Sequence, residues 1–180
     1  GCPLRDALIY VDNTVKGAGL RKRVKIAASG KIVSAYDVVR HIALGADWCN
    51  MARPFMFALG CIQARDCASG NCPTGLATMN PHRYRVVDIQ ERAQRVANFQ
   101  KNTTESVAEM LEAAGLNGPG ELNRRHIVRR LSASQIKLAD QIYPKVAEGA
   151  LLRGETVEDT RLAVYWNRVS PDSFAPTEAE

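Results

Sequence analysis

RVKIAASGKIVSAYDVVRHIALGADWCNMAR, residues 23 to 53, decides the fold, because it holds two short apolar runs separated by one amphipathic segment. The first run, Arg23 to Ala28, alternates in polarity and stops at Ser29-Gly30, the pattern of a short strand closed by a tight turn. Ser34, followed by Asp37 three positions on, forms a capping box and predicts a helix over Val38, Val39, Ile42 and Leu44, with Gly45 at its end. The second run, Ala46 to Met51, predicts another strand.

Upstream, Leu4, Leu8, Val11 and Val15 recur at helical spacing between Pro3, suited to a first turn, and Gly17 and Gly19, suited to an exit. Helix, strand, helix and strand with short connections give the rhythm of a parallel α/β sheet or barrel. Two strands close neither.

Downstream, Pro54 opens a short helix through Phe55, Phe57 and Leu59, which leads into a loop containing Cys61, Cys67 and Cys72. Asp88 with Glu91 caps a long amphipathic helix through Ile89, Ala93, Val96, Val107, Met110, Leu111 and Ala114, ending at Gly115. Asn117 to Gly120 is a loop. Ser132 or Ser134 caps a further predicted helix through Ile136, Leu138 and Ile142, interrupted at Pro144. A last helical element is expected over Val157 to Trp166, and a disordered tail from Ser170.

Composition narrows the function classes. The 180 residues are 46% hydrophobic, enough for a substantial core, and the net charge of +5 is scattered apart from Arg124 to Arg130, which argues against nucleic acid as a partner. No window reaches the roughly 18 apolar residues of a membrane span, and the N-terminus has no signal-peptide order. A soluble, cytoplasmic chain is expected. His41 and His126 read as packing or surface residues, and Trp48 and Trp166 as core or docking aromatics.

Five cysteines form an odd set, three of them within twelve positions, which favours a reduced compartment and a metal or redox role over disulfides. Cys61, Cys67 and Cys72 are spaced by five and then four residues, with Gly70 and Pro73 bending the chain. Soft thiolates select iron–sulfur clusters or zinc. Three suit a three-iron cluster, or a four-iron cube with another ligand at one corner; His82 or Asp66 would complete a zinc site, and buried inert cysteines are the bland reading.

The segment Gly60-Cys61-Ile62-Gln63-Ala64, then Cys67, then Cys72-Pro73-Thr74-Gly75-Leu76-Ala77-Thr78, resembles the cysteine loop of the glutamate synthase family. Asp37-Val38-Val39 and Leu44-Gly45-Ala46 are similar to the segment preceding that loop, so the resemblance covers Leu4 to about Leu116. It implies the C-terminal portion of an FMN-binding (β/α)8 barrel over residues 1–60, with the two predicted strands as the seventh and eighth. A 3Fe-4S cluster loop at 61–80, a mainly helical region at 81–169 and the tail at 170–180 follow. Cys61, Cys67 and Cys72 would hold the cluster. Barrels of this kind commonly bind a phosphate at the ends of strands seven and eight, here Ser29, Gly30 and Lys31, then Met51, Ala52 and Arg53. Lys31 and Arg53 would neutralise the phosphate charge. Two departures are plain: the family carries Asp-Gly-Gly where this chain has Ser29-Gly30-Lys31, and Gly-Phe-Gly-Thr where it has Asn50-Met51-Ala52-Arg53.

A whole barrel needs about 250 residues, so the earlier strands, the catalytic Lys and the glutaminase half of such a protein lie outside this sequence. Cys2 does not read as the glutaminase nucleophile. The chain is therefore expected to act as part of an oxidoreductase that forms glutamate from 2-iminoglutarate. The rest of the barrel, or a separate subunit, and a ferredoxin or NAD(P)H-linked donor are its expected partners, and incomplete strand edges favour an oligomer. The alternative is a non-catalytic module derived from the same family, stapled by a cluster or by zinc.

Overall fold

The computed structural model describes residues 1–175. They form two compact units that interleave in sequence, one of Gly1–Ala28, Arg40–Cys49 and the chain from Gly118 onward, the other of Ser29–Val39 and Asn50–Asn117. The elements are mixed α and β, and among the described residues the strands make two two-stranded sheets and no closed barrel.

Helix α1 spans Leu4–Gly17, strand β1 Ala27–Ser29, helix α2 Ala35–Ala43 and strand β2 Trp48–Asn50. The expected helix–strand–helix–strand order is present, with both strands shorter than the apolar runs suggested. Asp47 N–H donates to Ile26 C=O one residue before each strand, so β1 and β2 start side by side and run in the same direction. Each keeps one edge without a partner strand among the described residues. The capping box of α2 is formed: Asp37 N–H bonds Ser34 Oγ, and Asp37 Oδ2 accepts from Ser34 N–H.

Helix α3 (Ala52–Ala58), α4 (Pro81–Tyr84) and α5 (Ile89–Ala113) build the second unit. Asp88 caps α5 by accepting from Glu91 N–H at 2.9 Å. The rings of Phe55 on α3 and Phe99 on α5 meet edge to face with centroids 5.0 Å apart. Only Leu111 of α5 is fully buried, and Ile89, placed on its apolar stripe by periodicity, is exposed.

In the first unit the chain after Gly118 returns to α1. Gly149 N–H and Leu151 N–H bond the carbonyls of Lys16 and Gly17, and the Leu151 side chain packs so closely on Gly17 that a Cβ there would lie 2.5 Å from it. Val146, Ala150, Leu151 and Leu162 form an apolar cluster covered by Tyr10, Val157 and Trp166. Helix α6 is Ala139–Ile142, and α7, Thr160–Tyr165, lies within the expected last element.

Two expectations need correction. Ser132 and Ser134 cap no helix: Val128–Arg130 (β3) and Ile136–Leu138 (β4) pair antiparallel, Val128 opposite Leu138. The cause is local, since Leu131 N–H and Ser132 N–H both bond Gln135 C=O and reverse the chain before a helix can start. The region after residue 81 is thus less helical than its composition suggested. At the tail, Ser170 and Ser173 form a bridge, and 176–180 lie outside the described residues.

Asp159, 2% exposed, caps α7 through Arg161 N–H and takes further bonds from the Arg161 guanidinium and from Asn13 Nδ2. Burial alone would raise its carboxyl; the bonds from Arg161 and Asn13 outweigh that and hold it below the ordinary value of 3.8. The unfolded chain therefore takes up the proton first as pH falls. This stabilisation is complete above about pH 4 and is lost as pH drops through the lower folded value. Acid titration of the melting temperature is expected to show a fall below about pH 4 that is shallower in Asp159→Asn; superimposable acid limbs would contradict it.

Candidate functional site

Helix α3 ends because Gly60, with φ 100°, leaves the helical region. Gly60 N–H then bonds Phe57 C=O at 2.8 Å, and Cys61 N–H bonds Met56 C=O at 2.9 Å, a Schellman closure that places Cys61 directly after the helix. From residue 62 to 69 the chain is exposed, with Gln63 (φ 58°) and Arg65 (φ 65°) in the left-handed region. Cys67 sits here in a turn closed by Gly70 N–H on its carbonyl, and it is exposed.

Cys72 is buried, its sulfur 3.2 Å from Thr74 Oγ1. The Thr74 hydroxyl, then the backbone N–H groups of Ala77, Thr74 and Leu76, draw its thiol down to about 7. Cys2, Cys61, Cys67 and Cys72 are free thiols.

Both ends of the loop are clamped by the chain that follows. Gly75 (φ 77°) lies against the Arg83 carbonyl and the Val87 side chain, leaving no room for a Cβ. At Gly60 a Cβ would lie 2.6 Å from Arg92 Nη1. Arg83 Nη1 and Arg92 Nε are both buried and make no hydrogen bond. No motif marks these two arginines; the glycines at 60 and 75 are their only trace in the sequence.

Among the described residues, no three His, Cys, Asp or Glu side chains are gathered closely enough to hold a metal ion. The donor types in the loop are nevertheless those of a thiolate-held cluster: Cys61, Cys67 and Cys72 are free thiols, Cys72 is cradled by N–H groups, and the Arg92 guanidinium lies against Gly60. Cys61, Cys67 and Cys72 lie in one loop but are not gathered into such a group.

The six phosphate candidates all lie in the second unit. Ser29 ends β1, and Gly30 (φ 134°) and Lys31 (φ 54°) turn away from it. Met51 precedes α3 with no side-chain cap, and Ala52 and Arg53 form its first turn. Because β1 and β2 are paired, these two turns follow neighbouring strands. Ser29, Gly30, Lys31, Ala52 and Arg53 are exposed.

A polar centre that the sequence did not signal lies in the first unit. Asp12, 1% exposed on α1, bonds Lys16 Nζ at 2.7 Å, Arg21 Nε at 3.0 Å and Arg124 Nη2 at 3.1 Å. Arg124 Nη1 also donates to Pro144 C=O. These groups wall a cavity of about 870 Å³.

Residues 1–117 match the model of the family described as the conserved region in glutamate synthase. The chain belongs to the glutamate synthase family. It is 37% identical over 142 residues to the glutamate synthase large subunit-like protein YerD of Bacillus subtilis, covering 79% of this chain and 27% of that protein. With the archaeal glutamate synthase [NADPH] of Methanocaldococcus jannaschii it shares 40% identity over 117 residues, 65% of this chain and 23% of the relative. The glutamate synthase [NADPH] large chain of Bacillus subtilis is 30% identical over 151 residues, 79% of this chain and 10% of that one. This family member thus spans about a quarter or less of the length of these relatives. The matched region contains the whole cysteine loop and the turns at Ser29 to Lys31 and Met51 to Arg53. No helix among the described residues is long and apolar enough to cross a membrane.

Proposed function

We propose that this chain is the cluster-bearing, FMN-phosphate-binding part of a glutamate-synthase-like oxidoreductase. The observation that carries the reading is the cysteine loop: Cys61, Cys67 and Cys72 are free thiols in one loop, Cys72 is drawn down to about 7, and both loop ends are clamped by the following helices. In this reading the three thiolates hold a 3Fe-4S cluster. Lys31 and Arg53, with the backbone N–H groups of Gly30 and Ala52, face the FMN phosphate.

When bound, the two cofactors supply the electrons that turn 2-iminoglutarate, made from 2-oxoglutarate and ammonia, into glutamate. The share of this chain is positional. The Schellman turn fixes Cys61, and the hydroxyl and N–H groups around Cys72 favour its thiolate. Helix α3 carries Arg53 at its start and Cys61 just past its end, so one rigid element spaces the two cofactor sites. The partner-free edges of β1 and β2 are where the rest of a barrel would pair, whether from a longer chain or another subunit. A ferredoxin or an NAD(P)H-linked subunit is the donor class that such a cluster serves.

The departures at Ser29-Gly30-Lys31 and Asn50 to Arg53 favour one second reading, a family-derived module that keeps the cluster and has lost the flavin. Flavin titration separates the two. In the complete protein Arg53→Glu places a carboxylate beside the phosphate and is expected to weaken FMN binding at least tenfold, about 1.4 kcal/mol. Unchanged affinity would move the phosphate site elsewhere, and absence of binding in the unaltered protein would favour the flavin-free module.

A further inference from the structure

The cavity of the first unit is lined by five cations and four carboxylates, and its cations are the groups that a solute reaches. Its carboxylates are shared. Asp12 serves Lys16, Arg124 and, together with Asp47, Arg21. Asp140 takes both Arg125 Nε at 3.3 Å and Lys145 Nζ at 3.5 Å on the single oxygen Oδ2, while its Oδ1 is buried in the wall without a hydrogen bond. Asp140 is 13% exposed, whereas Arg125 and Lys145 are 77% and 58% exposed. Glu148 is the one exposed carboxylate of the lining. Arg125 bonds Asp140 through Nε alone, which leaves its Nη groups, and two of the three N–H groups of Lys145 Nζ, for another acceptor. Both cations start from fixed backbone: Arg125 N–H bonds Asn123 Oδ1 and Lys145 N–H bonds Glu158 Oε2.

We infer that this cavity is a binding site for a small dianion, a dicarboxylate or a phosphate, gripped by Arg125 and Lys145, with Asp140 holding the two cations side by side. The Asp140 group carries one positive charge in excess, and so does the group of Lys16, Arg21 and Arg124 around Asp12 and Asp47, so a doubly charged anion matches the wall better than a singly charged one. The planar fork of Arg125 suits two oxygens of one carboxylate or phosphate, and Lys145 adds a point charge beside it. A cavity of about 870 Å³ has room for a metabolite of this size. The site stands apart from the cysteine loop and from the turns at Ser29 to Lys31 and Met51 to Arg53, which belong to the other unit, and needs neither cofactor.

The test is isothermal titration calorimetry of the full chain with succinate and with inorganic phosphate, each at the same ionic strength set with sodium chloride, so that general screening is constant. One saturable site is expected, and the tighter of the two probes assigns the ligand to the dicarboxylates or to the phosphates. Arg125→Gln and Lys145→Gln are each expected to weaken that binding about tenfold. Both side chains are largely exposed, so the two variants are expected to melt with the unaltered chain, and should one fail to fold the other carries the test. Glu148→Gln removes the opposing charge and is expected to tighten binding about threefold. Absence of a saturable site for both probes overturns the inference, and so does equal affinity in the unaltered, Arg125→Gln and Lys145→Gln chains. Succinamide, the uncharged analogue, is expected not to bind; affinity equal to that of succinate would overturn the inference too, since charge would then play no part.

Discussion

Cys67→Ser is expected to abolish the cluster, with iron and sulfide falling to background, while the metal-free chain melts unchanged. Cys67 is exposed. The substitution therefore removes a ligand without opening a cavity, and a hydroxyl is a poor replacement for a thiolate on iron–sulfur centres. The same exchange at Cys72 would be harder to read, because that side chain is buried and bonded to Thr74. Metal analysis and calorimetry on the two proteins decide the matter: iron and sulfide retained in Cys67→Ser would remove Cys67 from the ligand set.

The largest stability effect is expected from Asp12→Ala. Asp12 is the one carboxylate shared by Lys16, Arg21 and Arg124, of which Arg124 and Arg21 are only 11% and 18% exposed. Removing it takes the carboxylate from Arg124 and leaves Arg21 with Asp47, 3.0 Å away, a loss of about 3 kcal/mol for breaking a buried pair from one side. Backbone carbonyls at Gly45 and Pro144 keep accepting from Arg21 and Arg124, but the Asp12 side chain also fills the space where Gly45 lacks a Cβ, so its removal opens a gap there. Urea unfolding should show the loss as a lower midpoint at unchanged slope. A change below about 1 kcal/mol would mean that water replaces the carboxylate and that the network is solvated.

How far the sequence could be read depended on whether a feature was local. The capping box at Ser34 and the cap at Asp88 are recognised within four residues, and the structure forms the box at Ser34 and the Asp88 bond to Glu91 N–H. The three cysteines were legible as a group because spacing alone places them in one loop. Periodicity found helix α1 but not its buried face, which carries Asp12 and Asn13 beside Leu8 and Ile9 while Val11 is 42% exposed. Their partners Arg124 and Asp159 lie more than a hundred residues away, so no window in the sequence joins them. The β3–β4 hairpin was hidden for another reason: Ser132 and Ser134 suit a cap or a turn equally well, and the pairing of Val128 with Leu138 decides between them. Arg92 belongs to the long-range class, since only its packing against Gly60 brings it to the loop.

Quantifying iron and acid-labile sulfide in anaerobically reconstituted chain, with an electron paramagnetic resonance spectrum of the same sample, tests the central claim most directly. The account predicts a brown protein with iron and sulfide in the ratio of a 3Fe-4S cluster and thiols at Cys61, Cys67 and Cys72 protected from alkylation. A colourless protein, with zinc or no metal and all three thiols open to alkylation, would contradict it.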